Sequence, residues 1–128
     1  MSHDNSLKGS SILLVEDDES LRTVLAMNLE DSGLEVDVAS SAEDALERFS
    51  PQRHQIVLTD LRLPGMHGLE LLERLKALDD QVVVLVLTAY GGAANALEAM
   101  RRGAFHYVEK PVNTQALLEE LRRALDYR

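Results

Sequence analysis

The sequence predicts an α/β domain in which a parallel sheet carries helices on both faces, and three observations support this. Five short apolar, β-branched runs alternate with five segments of helical spacing along the 128 residues. Runs such as Val82-Val83-Val84-Leu85-Val86-Leu87 do not alternate apolar with polar residues, so both faces of such a strand meet protein, as in parallel sheets between helix layers, with the second strand expected at an edge. Turn and capping residues fall between the two textures. Right-handed crossovers then wind the chain about its sheet on both sides.

Taken in order, residues 1–10 are polar and aperiodic and read as a flexible arm before a single domain over 11–128. The first strand covers 12–15, and the helix after it carries Leu21, Val24, Leu25 and Leu29 as one stripe, with Gly33 placed to stop it. The second strand, 36–39, leads into Ser40-Ser41-Ala42-Glu43, which has the spacing of a capping box. A short stripe of Ala42, Ala45, Leu46 and Phe49 follows. The third strand, 56–59, precedes a helix lined by Leu69, Leu72 and Leu75 and widened by Leu71 and Leu78. The fourth, 82–88, precedes an alanine-rich helix marked by Leu97 and Met100 and stopped at Gly103. The fifth, 105–108, precedes a helix that Asn113 is placed to cap and that Leu117, Leu118, Leu121 and Leu125 line.

Composition narrows the function. With 13 basic and 22 acidic side chains the net charge is −9, which repels phosphate backbones and argues against direct nucleic acid binding. The longest apolar run, 82–87, is far short of the roughly 18 residues needed to cross a bilayer, and no signal leader is visible, so a cytoplasmic protein is expected. The absence of cysteine removes disulfides, thiolate zinc sites and cysteine nucleophiles. No G-x-G-x-x-G, P-loop or G-x-S-x-G motif is present. The histidines, His3, His54, His67 and His106, lack ligand spacing and read as surface residues, with His67 alone near the expected site.

In doubly wound sheets, ligands bind beyond the carboxyl ends of the strands. There the sequence places Glu16-Asp17-Asp18, then Asp60, Thr88 and Lys110-Pro111, while the second strand offers Ser40 and Ser41. Glu16, Asp17 and Asp60 brought close together would repel. A hard divalent cation, Mg²⁺ or Mn²⁺, relieves this with oxygen ligands. Lys110 adds a compact positive charge and Thr88 a hydroxyl. These are the parts for phosphoryl transfer onto a carboxylate. Each residue alone has a plainer reading: Asp17 or Asp18 as a helix cap, Asp60 or Lys110-Pro111 as a turn. Convergence on one edge favours the site.

Four segments carry a family resemblance: Leu14-Val15-Glu16-Asp17-Asp18, 58–66 around Asp60, Val86-Leu87-Thr88-Ala89-Tyr90, and Tyr107-Val108-Glu109-Lys110-Pro111. Over residues 11–127 the chain resembles the receiver domain of bacterial two-component response regulators. The wording of 88–91 and 99–111 is most like receivers of nitrogen-regulation-type enhancer-binding transcription activators. The resemblance implies a (βα)5 flavodoxin-like fold with strand order 2-1-3-4-5. It also implies that Asp60 accepts a phosphoryl group from a histidine kinase or phosphotransfer protein. Asp17, Asp60 and the backbone carbonyl of Arg62 would hold Mg²⁺, with Mn²⁺ as substitute, and Glu16 would reach it through water. Glu16 departs from the family, which more often has Asp there. Lys110 and Thr88 would contact the phosphoryl group, Tyr107 would follow Thr88 as a switch, and Lys110–Pro111 would be cis. Small Ala89 would keep the approach to Asp60 open.

Arg62 and Tyr90, two residues beyond the nucleophile and the hydroxyl, would flank the attacking water; both are bulky, which implies slow self-dephosphorylation. The output would be a change at the face of the fourth helix, fifth strand and fifth helix. That face would control an effector domain C-terminal to this chain and is a possible homodimer surface. Turnover chemistry is not expected. Aspartyl-phosphate phosphatases of the haloacid-dehalogenase type place a second Asp where Arg62 stands. A pseudo-receiver that only binds, and a flavin binder, are the other readings. Two Phe, three Tyr and no Trp leave little to stack on a flavin.

Overall fold

The computed structural model describes residues 9–89 and 92–127. Most of the expected arm (1–8, with His3), Tyr90, Gly91 and Arg128 lie outside the described residues. The elements are β1 (Ser11–Val15), α1 (Glu19–Asp31), β2 (Glu35–Ala39), α2 (Ala42–Arg48), β3 (Ile56–Asp60), α3 (Gly68–Leu78), β4 (Val83–Thr88), α4 (Ala93–Arg101), β5 (His106–Glu109) and α5 (Thr114–Tyr127). The strands form one sheet in the order β2-β1-β3-β4-β5, with every neighbouring pair parallel. This is the doubly wound architecture expected from the unbroken apolar runs. Gly9 donates to the Gly33 carbonyl, and the Ser10 carbonyl accepts from Glu35, so hydrogen bonding to the domain already begins within the last two residues of the expected arm.

Alternate strand residues feed two cores. Ile12, Leu14, Ile56, Leu58, Leu85 and Leu87 pack with Leu25 and Leu29 of α1 and Leu117, Leu118 and Leu121 of α5. Leu13, Val15, Val57, Val84 and Val86 pack on the other face with Leu71, Leu72 and Leu75 of α3, Ala42 and Ala45 of α2, and Ala99 of α4. Each fully buried leucine or isoleucine contributes roughly 1.5–3 kcal/mol. The three central strands are therefore the most firmly held part of the fold, and their carboxyl ends are a rigid platform.

The helix ends refine the expectations. Asp18, rather than Asp17, caps α1 by accepting from the Leu21 amide at 3.0 Å. At α2 the capping box sits one residue later than expected. Ser41 accepts from the Asp44 amide at 3.0 Å, and Asp44 reaches back to the Ser40 amide at 3.2 Å. Glu43 is thereby released from the helix start. Gly33 and Gly103 end α1 and α4 with φ of 98° and 107°, a conformation that side chains disfavour. Asn113 accepts from the Ala116 amide at 3.0 Å, the cap expected for α5.

Four expectations about burial need correction. Val24, Leu78 and Leu97 are exposed rather than core-facing. On α4 the inward face belongs to Ala96 and Ala99, whose small side chains let the helix approach the sheet, and this turns Leu97 and much of Met100 to solvent. His54 is buried, not superficial. Its Nδ1 accepts from the Ser50 amide at 3.1 Å, its Nε2 lies 2.7 Å from Asp37 Oδ2, and Phe49 stacks on its ring. That arrangement suits the tautomer with its proton on Nε2.

Candidate functional site

Because all five strands are parallel, their carboxyl ends share one edge of the sheet. Polar side chains gather at that edge, where the apolar runs of the strands end. Glu16 follows β1, Asp60 ends β3, Thr88 ends β4 and Lys110 follows β5. Glu16, Asp60 and Thr88 are buried at 1%, 5% and 3% relative exposure, whereas Asp17 faces solvent.

The structure brings together the three carboxylates of the expected metal site. Glu16, Asp17 and Asp60 each offer a carboxylate oxygen, and these lie within 4.8 Å of one another. Lys110 Nζ donates to Asp60 Oδ2 at 2.6 Å and to Glu16 Oε1 at 3.0 Å. The second Glu16 oxygen accepts from the Asp18 amide at 3.1 Å, and Asp60 Oδ1 accepts from the Arg62 amide at 3.0 Å. Burial pushes the Glu16 carboxyl up from its ordinary value, against the opposing pull of the Asp18 amide and the Lys110 ammonium. Burial alone would lower Lys110, but its bonds to Asp60 and Glu16 outweigh that and raise it. Three carboxylates face one ammonium here. The donor set is all oxygen, and its charge fits a hard divalent cation.

Beside Asp60 lies a cavity of about 140 Å³ bounded by Arg62, Thr88, Ala89, Gly92 and Asn95. Thr88 Oγ1 borders it, buried and without a hydrogen-bond partner among the described residues. A buried hydroxyl left in this way is costly unless some state of the molecule supplies an acceptor. The Lys110–Pro111 peptide is cis, and the Lys110 amide donates to the Thr88 carbonyl at 2.7 Å.

Not every expected site residue joins the cluster. Tyr107 is exposed on β5, its ring against His106 rather than against Thr88. Arg62 is exposed, on the wall of the cavity beside Asp60. His67 caps α3, its Nδ1 accepting from the Leu69 amide at 3.1 Å. Tyr90 lies outside the described residues.

Two supporting residues escaped the sequence reading. A Cβ on Gly68 would stand 2.6 Å from Leu61 Cα and 2.7 Å from the Asp60 carbonyl oxygen, so only glycine lets α3 start against the end of β3. A glycine opening a helix is a poor helix former, and that oddity was the available signal. Arg22, on α1, donates to the Glu16 carbonyl at 2.9 Å and fixes the turn that presents Glu16.

Comparison with known proteins agrees with this geometry. A family model described as "Response regulator receiver domain" matches residues 12–122. The chain is 37% identical over 122 residues to the C4-dicarboxylate transport transcriptional regulatory protein DctD of Pseudomonas aeruginosa, covering 93% of this chain and 26% of that protein. It is 38% identical over 125 residues to the transcriptional regulatory protein ZraR of Escherichia coli, covering 98% and 27% respectively. The chain thus spans about a quarter of the length of these relatives. Among solved structures, a response regulator receiver domain protein from Clostridium thermocellum superimposes with a TM-score of 0.89 at 32% identity, covering 92% of this chain and 95% of that one. NtrX from Brucella abortus gives a TM-score of 0.88 at 32% identity, covering 92% of this chain and 27% of that one. These relatives match the resemblance to nitrogen-regulation-type receivers.

Proposed function

The chain belongs to the response regulator receiver domain family, and on that premise we propose that it is a phosphorylation-dependent signalling switch with Asp60 as the phosphoacceptor. The observation that carries this reading is Asp60 itself. Its carboxylate is 2.6 Å from Lys110 Nζ, at the rim of a small cavity that Thr88 borders with a partnerless hydroxyl.

A carboxylate oxygen of Asp60 attacks the phosphorus of a phosphohistidine on a kinase or phosphotransfer protein. The O–P bond forms as the N–P bond breaks, and the imidazole leaves and takes up a proton. Asp17, Asp60 and the Arg62 carbonyl would hold Mg²⁺ or Mn²⁺, and Glu16 would hold it through water; when bound, the ion offsets the charge of the phosphoryl oxygens. Lys110 releases Asp60 Oδ2 to bind a phosphoryl oxygen, and Thr88 finds there the acceptor it lacks. Charge-assisted bonds of this kind contribute roughly 1.5–3 kcal/mol each, so two of them shift a two-state ratio by on the order of a hundredfold or more.

Movement of Thr88 draws Tyr107 inward and alters the face formed by α4, β5 and α5. Leu97, Met100 and Tyr107 already lie exposed on these elements, which suits contact with a C-terminal effector domain in transcription control or with a second copy of the chain. Nucleic acid contact falls to the effector, since the receiver carries a net charge of −9. Arg62, exposed on the cavity wall, and Tyr90, two residues beyond Thr88 in the sequence, would screen the acyl phosphate from water and prolong its life, and no second acid stands at Arg62 to make the domain a turnover phosphatase. No helix among the described residues is long and apolar enough to cross a membrane, and a cytoplasmic site of action alongside the kinase is part of this reading.

Intact mass after incubation with a small phosphodonor tests it. A single phosphoryl adduct is expected in wild type with Mg²⁺, and none without Mg²⁺ or in Asp60→Asn. A folded wild type that takes no adduct with Mg²⁺ present would leave a module that signals by binding alone.

A further inference from the structure

We propose that Glu43, on a helix that contributes nothing to the carboxylate cluster, is a positioning residue for the loop between β3 and α3, and so sets the metal affinity of the site. The capping spacing would assign Glu43 to the start of α2. There Ser41 and Asp44 satisfy the helix start between them, and Glu43 is free to reach across to the neighbouring loop. Its Oε2 accepts from the Met66 amide at 3.2 Å. The same oxygen stands 3.0 Å from where a Cβ on Gly65 would be, and Gly65 turns the loop with φ +75°. A glycine at that point thus serves both the turn and the approach of Glu43.

The loop is anchored at its start by the Arg62 amide on Asp60 Oδ1 and by buried Leu63. At its end the Gly68 amide donates to the Leu61 carbonyl at 3.0 Å. Between these points the chain turns through exposed Pro64 and Gly65, and Glu43 holds that stretch from another element. The inference rests on the reading above, in which the Arg62 carbonyl of this loop is a metal ligand. Mg²⁺ demands near-ideal octahedral geometry, and partners beyond the ligands themselves tune its affinity. Freeing the turn at Met66 broadens the positions open to the Arg62 carbonyl and weakens the ion without touching Asp60, Lys110 or Thr88.

The test compares wild type, Glu43→Ala and Glu43→Gln in phosphorylation by a small phosphodonor across a Mg²⁺ titration. Glu43→Ala is expected to raise the Mg²⁺ concentration at half-maximal rate about tenfold, the low end for partners beyond the ligands, with the rate at saturating Mg²⁺ and the melting temperature close to wild type. Glu43→Gln keeps an acceptor oxygen for the Met66 amide and is expected to restore most of the affinity. If Glu43→Gln behaves like Glu43→Ala, the residue acts by its charge and positioning is overturned. If Glu43→Ala titrates like wild type, positioning is likewise overturned while the Asp60 reading stands. A wild type that takes no phosphoryl group at any Mg²⁺ concentration overturns both.

Discussion

Lys110 holds two buried carboxylates at once, which makes it a different kind of residue from an ordinary surface lysine. Removing it leaves Glu16 and Asp60 side by side without a counter-charge, and partners abandoned in this way cost more than the pair itself contributed. Lys110→Ala is expected to destabilise the metal-free domain by about 1–3 kcal/mol at neutral pH, the lower end reflecting the lysine's partial exposure. The pH dependence has a definite sign. Burial raises Glu16 above 4.5, so between that value and its folded value the native state keeps a proton that the unfolded chain has lost. Stability therefore falls as pH rises through this window and recovers on mild acidification. Urea unfolding of Lys110→Ala without divalent cations, at about pH 5 and about pH 7.5, should show the variant less impaired at the lower pH. An equal loss at both would mean that carboxylate repulsion is not what Lys110 relieves. Glu16, Asp60, Thr88 and Lys110 were legible in the sequence because each ends an apolar run, and parallel strands bring such ends together. His54 was not. Its burial depends on a turn over residues 50–53 that folds its ring beneath Phe49 toward Asp37, on the sheet's edge strand, and no periodicity records a contact of that kind.

Among the elements, α4 stands apart by how little it buries. Ala96 and Ala99 form its inward face, Leu97 is 63% exposed, and Gly92 begins the helix with no side-chain cap. By contrast α5 buries Leu117, Leu118, Leu121 and Ala124, and Asn113 caps it. At roughly 0.8 kcal/mol per buried methylene, alanine anchors hold a helix far less firmly than leucines do. Local opening should therefore cost least at α4. Amide hydrogen exchange across residues 96–101 is expected to report an opening free energy lower than that of 117–124 by about 2 kcal/mol or more. Equal protection of the two helices would contradict an α4 poised for displacement. The same alanines explain why the stripe on this helix was misread. Leucine positions usually mark the buried face, but a helix drawn close to a sheet needs small residues at the contact, and Leu97 is left outside. The one-residue shift of the α2 cap has a similarly local cause: Ser41 is the extended residue, with φ −152°, and its own hydroxyl meets the Asp44 amide. Strands were read more securely than helices, because a run buried on both faces tolerates no ambiguity of face. Even so, β5 begins and ends one residue later than expected.

At the scale of the molecule, a chain of net charge −9 gathers three carboxylates at one edge of a sheet whose central strands are buried on both faces. Repulsion at that edge is carried by the ends of β1 and β3, which belong to the cores on both sides of the sheet. A cation that relieves it stabilises the cooperative unit rather than a loop. By linkage, Mg²⁺ at about ten times its dissociation constant should add roughly 1.4 kcal/mol. For a domain of this size that is a rise of roughly 4–7 °C in melting temperature. Asp17, a ligand in the proposed function, is the one to remove as a control, because it is exposed and makes a small contribution to packing. Asp17→Asn should fold with little loss and show a much smaller Mg²⁺-dependent shift. Sodium chloride at matched ionic strength should reproduce little of the wild-type effect, since screening acts on all the surface charges alike. If sodium matches magnesium, or if Asp17→Asn shifts as far as wild type, the ion acts on the charge of the whole molecule, and the carboxyl edge of the sheet is not a discrete metal site.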